Sequence, residues 1–214
     1  MDLSEQILLI LCLVLEAFVL LLAIKGRKIS LCYSFFAYLA ITFLSDLAAA
    51  TLKMTPTQER NSFLWAQSLQ DFVAIILVLE LNSRVFKYYP RVRRSNWLFF
   101  FLACIFFVVY HWLTPQAHSD WWFSWASDVH SKILQATCVV LLFMSGSILF
   151  YRLHIPIAYK YLLIGFAISQ FAAALGFAIA AAFGQNMRVP VSYSNALFFL
   201  LALIVWTRGY LVGD

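Results

Sequence analysis

Residues 7–24 read Ile7-Leu8-Leu9-Ile10-Leu11-Cys12-Leu13-Val14-Leu15-Glu16-Ala17-Phe18-Val19-Leu20-Leu21-Leu22-Ala23-Ile24, with Lys25-Gly26-Arg27-Lys28 directly behind them. A helix rises about 1.5 Å per residue, so this run reaches about 27 Å, close to the thickness of the hydrocarbon layer of a bilayer. A single carboxyl, Glu16, interrupts it. The surface helix of a soluble protein keeps a polar face; this segment has none. Met1-Asp2-Leu3-Ser4-Glu5 lacks the positive n-region of a secretory signal, and a basic cluster stands where a cleavage site would be. The segment therefore reads as a first spanning helix that is retained.

The rest of the chain follows the same pattern. Its 214 residues are 64% hydrophobic and 12% charged, with a mean hydropathy of +0.85, whereas a soluble domain is about 45–50% apolar and about 25% charged. That composition excludes a water-soluble globule, a disordered chain, a collagen, a coiled coil and a disulfide-stapled secreted scaffold. A spanning helix needs about 20 mostly apolar residues, and seven stretches qualify, at roughly 4–24, 31–52, 62–84, 96–113, 126–150, 157–183 and 191–208. All five prolines, Pro56, Pro90, Pro115, Pro156 and Pro190, fall between these stretches, as residues that cannot continue a helix should. The tryptophans (Trp65, Trp97, Trp112, Trp121, Trp122, Trp125 and Trp206) stand at segment ends or in a loop, where amphipathic rings meet the headgroups. The expected fold is an all-α bundle of seven transmembrane helices in a single domain.

Positive residues favour the cytoplasmic side of a membrane. With the N-terminus outside, the inner connections hold Lys25, Arg27, Lys28, Arg84, Lys87, Arg91, Arg93, Arg94, Arg152, Lys160 and Arg208, eleven of the 15 basic residues. The expected topology is N-terminus outside and C-terminus cytoplasmic, in the inner membrane of a bacterium. The basic run at 84–94 reads as an anchor on anionic headgroups; no nucleic-acid partner is expected. The short link between the first two helices makes them antiparallel neighbours.

Polar residues inside spans are costly and mark function or helix–helix contacts. The second segment places Thr42, Ser45, Asp46 and Ala49 on one face, and the third does the same with Gln67, Gln70, Asp71 and Ala74. Asp46 is seven residues from Lys53 and Asp71 nine from Ser62, which puts both roughly 10–14 Å below the outer boundary. Lys132 and Gln135 lie in the outer half of segment five, Ser169 and Gln170 near mid-membrane in segment six, and Tyr193 and Asn195 near the outer end of segment seven. Together these residues predict a polar patch in the outer third of the bundle. Asp46, Asp71, Gln67, Gln70 and Lys132 are the expected contacts for a cationic or hydrogen-bonding ligand or an ion. Two bland readings stand beside it: Asp128 and Lys132 form an i,i+4 ion pair, and the amides are interhelical glue.

Glu80 lies on the opposite side of its helix from Asp71 and is expected to pair with Arg84 four residues on. Glu16 has only apolar neighbours one turn away; it is either protonated, as in proton-coupled carriers, or meets a donor from another helix, with Lys160 and His154 nearest in depth. His111, His118, His130 and His154 read as interfacial or loop residues. Cys12, Cys32, Cys104 and Cys138 stand one each in four spans with no metal or haem-attachment spacing. No catalytic or metal-binding motif is present, and neither metal nor cofactor is expected. Ala172, Gly176, Ala180 and Gly184 recur every four residues, a small-residue ridge for close helix packing within the bundle, with a membrane partner or with a second copy.

The run Leu79-Glu80-Leu81-Asn82-Ser83-Arg84-Val85-Phe86-Lys87-Tyr88-Tyr89-Pro90-Arg91-Val92-Arg93-Arg94, with the aromatic opening Tyr33, Phe35, Phe36 and Tyr38 of the second helix, resembles uncharacterised bacterial seven-helix membrane proteins. More distantly, the topology is similar to the seven-helix membrane domains of bacterial sensor kinases. The resemblance covers about one fifth of the chain and transfers no catalytic residue; no kinase or cyclase follows Asp214, so signalling would pass to a separate partner. The expected function is a non-enzymatic membrane sensor or binding module. The alternatives are a small proton- or ion-coupled carrier or channel, then a structural subunit of a membrane complex or a haem- or quinone-dependent enzyme.

Overall fold

A computed structural model describes residues 3–26, 28–52, 55–113, 121–183 and 187–212. Among them are seven α-helices: α1 (Leu3–Lys25), α2 (Tyr33–Thr51), α3 (Pro56–Val85), α4 (Pro90–Leu113), α5 (Trp121–Phe150), α6 (Ile157–Phe183) and α7 (Arg188–Val212). A short 3-10 turn, Lys28–Leu31, links α1 to α2. All of these helices but α4 are long and apolar enough, over the described residues, to cross a membrane.

The helices run past the apolar stretches that mark them in the sequence, and the prolines show why. Proline is tolerated in the first turn, where its missing N–H has no partner in any case. Pro56 and Pro90 accordingly open α3 and α4, and Pro190 lies in the first turn of α7, so three of the five prolines start helices instead of lying between them. Pro156 stands just before α6, and Pro115 is outside the described residues. At the start of α3 the side chain of Thr55 accepts from the Gln58 amide while Gln58 Oε1 accepts from the Thr55 amide at 3.1 Å. This reciprocal cap satisfies donors a helix start leaves orphaned. At the end of α5 the chain reverses through Arg152, at a left-handed φ of 49°; the Leu153 amide donates to the Ile148 carbonyl at 3.0 Å across the reversal.

Six helices close a ring in the order α1, α2, α3, α5, α6, α7, and α7 returns to α1. Helix α4 lies outside it, against α5 and, to a smaller extent, α3. The ring has apolar residues on its outer surface, among them Ile10, Val14, Leu21, Phe72, Leu142 and Ile204. Polar side chains are buried within it, including Glu16, Thr42, Asp71, Ser169 and Gln170. This inversion of the soluble pattern is what a hydrocarbon solvent selects.

The packed core fills only one half of the ring. Val19, Phe35, Leu39, Leu77, Leu81, Leu141, Met144, Phe166, Leu203 and Trp206 form it, all essentially inaccessible. They come from the C-terminal parts of α1, α3, α5 and α7 and the N-terminal parts of α2 and α6. Trp206 belongs to this core rather than to a headgroup belt: its ring is edge-on to Phe35 at 4.8 Å, and its Nε1 donates to the Leu162 carbonyl at 3.2 Å. Gly165 makes room for it, since a Cβ there would lie 2.3 Å from that nitrogen. Gly209 meets Tyr161 and Gly176 meets Asn195 and Val191 in the same way, so α6 and α7 approach closely along much of their length. The glycine of the small-residue ridge thus faces α7. Gly184 lies outside the described residues.

Candidate functional site

In the other half of the ring the polar residues converge on a cavity of about 260 Å³. Helix α2 contributes Tyr38, Thr42 and Asp46; α3 contributes Gln67, Gln70, Asp71 and Ala74. Ser169, Gln170 and Phe177 come from α6, and Asn195 and Phe199 from α7. The i, i+3, i+4, i+7 face of α3 read from the sequence lines the cavity in full, because a helix packed on two neighbours can turn only one stripe inward.

Several lining groups hold one another in place. Gln70 Nε2 donates to Thr42 Oγ1 at 3.3 Å, and that hydroxyl donates to the Tyr38 carbonyl at 3.0 Å. Gln170 Nε2 donates to the Tyr38 hydroxyl at 3.4 Å, tying α6 to α2 across the ring. Asp71 is met from α5 by His130, whose Nδ1 stands 2.8 Å and 2.9 Å from its two carboxylate oxygens. The His130 ring also packs edge-on against Phe177, with centroids 4.9 Å apart.

His130 and the hydroxyl of Tyr38 are polar lining groups that helical spacing does not assign to the patch. His130 had been expected at an interface, and Lys132 had been assigned to the patch; Lys132 is not among the lining residues. Positions two apart on a helix differ by about 200°, so both cannot face one cavity. Leu134, one turn beyond His130, is buried and lines the cavity with it; this apolar register was the available signal. Gln135 is exposed. The side chains of Asp128 and His111 lie outside the described residues, and with them the expected Asp128–Lys132 pair.

Asp46 differs from Asp71. It faces the cavity, yet no hydrogen bond or ion pair joins it to a described residue. Glu16, on α1, lies within electrostatic range of Asp46 and Tyr38. It is fully buried, and neither carboxyl oxygen has a hydrogen-bond partner among the described residues. Neither Lys160 nor His154 supplies the expected donor; both are exposed.

Two further polar clusters lie toward the packed half. Asn96 of α4 donates to Asn82 of α3 at 3.1 Å and accepts from Ser147 of α5 at 3.2 Å, which pins α4 to the ring. Glu80 pairs with Arg84 at 2.6 Å, as expected, and also serves the start of α2. Its oxygens accept from the amides of Tyr33 at 3.1 Å and Ser34 at 2.8 Å, and from the Ser34 hydroxyl. Arg84 Nη1 donates to the Ser30 carbonyl at 2.6 Å.

All four cysteines are free thiols. Among the described residues no group of three or more His, Cys, Asp and Glu side chains is placed to hold a metal ion. The chain matches no protein-family model, no curated protein and no solved structure.

Proposed function

We propose that the protein is a non-enzymatic binding module of the membrane, a sensor whose cavity takes a small cationic, hydrogen-bonding molecule. The observation that carries this reading is the unequal state of the two carboxylates: Asp71 is matched by His130, whereas Asp46 faces the same space with no described partner. A carboxylate in a poorly solvated site needs a counter-charge, and a ligand cation supplies one. The amides of Gln67, Gln70, Gln170 and Asn195 would orient it. The volume suits a ligand smaller than the drug-sized molecules that occupy about 300–1,000 Å³.

In this reading the chain crosses the bilayer seven times, with α4 as the additional span. The N-terminus is outside, the C-terminus is in the cytoplasm, and the cavity lies in the outer half. The distribution of basic residues supports that orientation. Tags at the two termini should report opposite compartments; a shared compartment would refute it.

Ligand-induced thermal stabilisation tests the function. In lipid nanodiscs, methylammonium, guanidinium or tetramethylammonium should raise the melting temperature relative to sodium at equal ionic strength, and Asp46→Asn should abolish the rise. No shift with any of them would refute the reading. A second reading, a proton-coupled carrier, is favoured by one observation, the unpartnered buried Glu16. It requires flux of the bound cation into sealed vesicles that Glu16→Gln stops; binding without flux favours the sensor.

A further inference from the structure

A second space adjoins the cavity. It holds about 500 Å³ between α1, α2 and α7, and its wall includes Leu8, Leu9 and Cys12 from α1 and Ala196 from α7. It shares Asp46, Asn195 and Phe199 with the polar cavity, so one carboxylate faces both. Among the described residues that line it, none is basic. The wall residues of α1 lie five to nine residues into that helix, about 8–14 Å along its axis. For a helix that spans the bilayer, this depth runs from the headgroup boundary into the acyl chains of one leaflet.

We infer that the groove between α1 and α7 admits a single-chain amphiphile with a cationic head, whose head meets Asp46 while its chain lies along Leu8, Leu9, Cys12 and Ala196. The inference rests on the cavity reading above and adds the class of ligand and its route. A chain-bearing amine can reach that carboxylate sideways, from the lipid. Ser192, Tyr193 and Asn195 line the same space beside the apolar wall, so leaving the lipid for the groove gives the tail no hydrophobic gain; selectivity must come from the head. An anionic head would meet Asp46 with no basic group among the described lining residues to offset the repulsion, and a neutral head would leave the carboxylate unmatched.

The test uses a twelve-carbon primary amine with a diazirine at its chain end, photolysed with the full-length protein in nanodiscs and mapped by mass spectrometry. Binding of methylammonium is measured on the same samples. The expected result is labelling concentrated on Leu8–Cys12 of α1 and Ser192–Phe199 of α7, reduced at least tenfold by Asp46→Asn and by excess unlabelled amine. Ala196→Trp, which fills the groove, should remove the labelling yet keep methylammonium binding. Labelling spread around the ring and indifferent to Asp46, with methylammonium still bound, would overturn the groove assignment and leave the cavity reading standing. Failure of both ligands to bind would overturn both.

Discussion

His130 Nδ1 lies 2.8 Å from Asp71 Oδ1 and 2.9 Å from Oδ2, joining α5 to α3 at the wall of the cavity, with each side chain only about a tenth exposed. Removing His130 leaves a carboxylate without its partner. His130→Ala should therefore destabilise the protein by about 2 kcal/mol, the worth of a hydrogen bond to a charged group. The double variant with Asp71→Asn should cost less than the two single changes added together, because contacting residues are not independent. Unfolding in mixed micelles measures both.

Glu80 acts as a cap supplied by another helix. Its carboxylate accepts the Tyr33 and Ser34 amides at the start of α2, where negative charge also suits the helix dipole. Glu80→Ala should cost about 1–3 kcal/mol. Hydrogen exchange should speed at Tyr33 and Ser34 in particular. Unchanged protection at those two amides would show that the cap is not needed.

The glycines divide into those with room and those without. Gly165→Ala would put a Cβ 2.3 Å from the indole nitrogen of Trp206, a fully buried ring already bonded to Leu162. It should lower stability by about 1–3 kcal/mol, the cost of overpacking. Gly146 has nothing within 4 Å of a Cβ, so Gly146→Ala should be neutral or stabilise α5 by up to about 1 kcal/mol through helix propensity. Thermal unfolding of the two variants side by side checks the contrast.

Glu16 carries a stability cost for which no described residue compensates. Both of its oxygens are buried without a hydrogen bond. Glu16→Leu should stabilise the fold by about 1–3 kcal/mol, the penalty of an unsatisfied buried polar group. A stabilised variant that still binds the cation would assign Glu16 no part in binding. A stabilised variant that has lost flux, if flux exists, would mark Glu16 as a residue whose stability cost is kept for its function.

Much of this architecture is legible from solvent preference alone. Hydrocarbon demands long apolar helices, and the seven stretches correspond to α1–α7, with 157–183 matching Ile157–Phe183. The ends were less legible, since apolarity marks where lipid lies and not where the helix stops: α3 begins at Pro56, six residues before the apolar stretch. The cavity face of α3 follows from helical spacing, so Gln67, Gln70 and Asp71 could be grouped before any coordinates; of the face expected on α2, Thr42 and Asp46 line the cavity, whereas Ser45 does not and Ala49 is exposed. What spacing cannot give is the order of helices around the ring. That order puts α5 beside α3 and chooses His130 over Lys132, and of the two readings open for Glu16 it leaves out the donor from another helix among the described residues. Trp206 was misplaced for the same reason: the space that Gly165 opens for it lies on another helix.

Calorimetric titration of methylammonium into the protein in nanodiscs, compared with Asp46→Asn, measures whether this carboxylate holds the cation. One saturable site per chain is expected in the unmodified protein and at least a tenfold loss of affinity in the variant, with its melting temperature in the absence of ligand unchanged or raised. Equal affinity in the two proteins would contradict this, because the cation would then be held somewhere other than at Asp46.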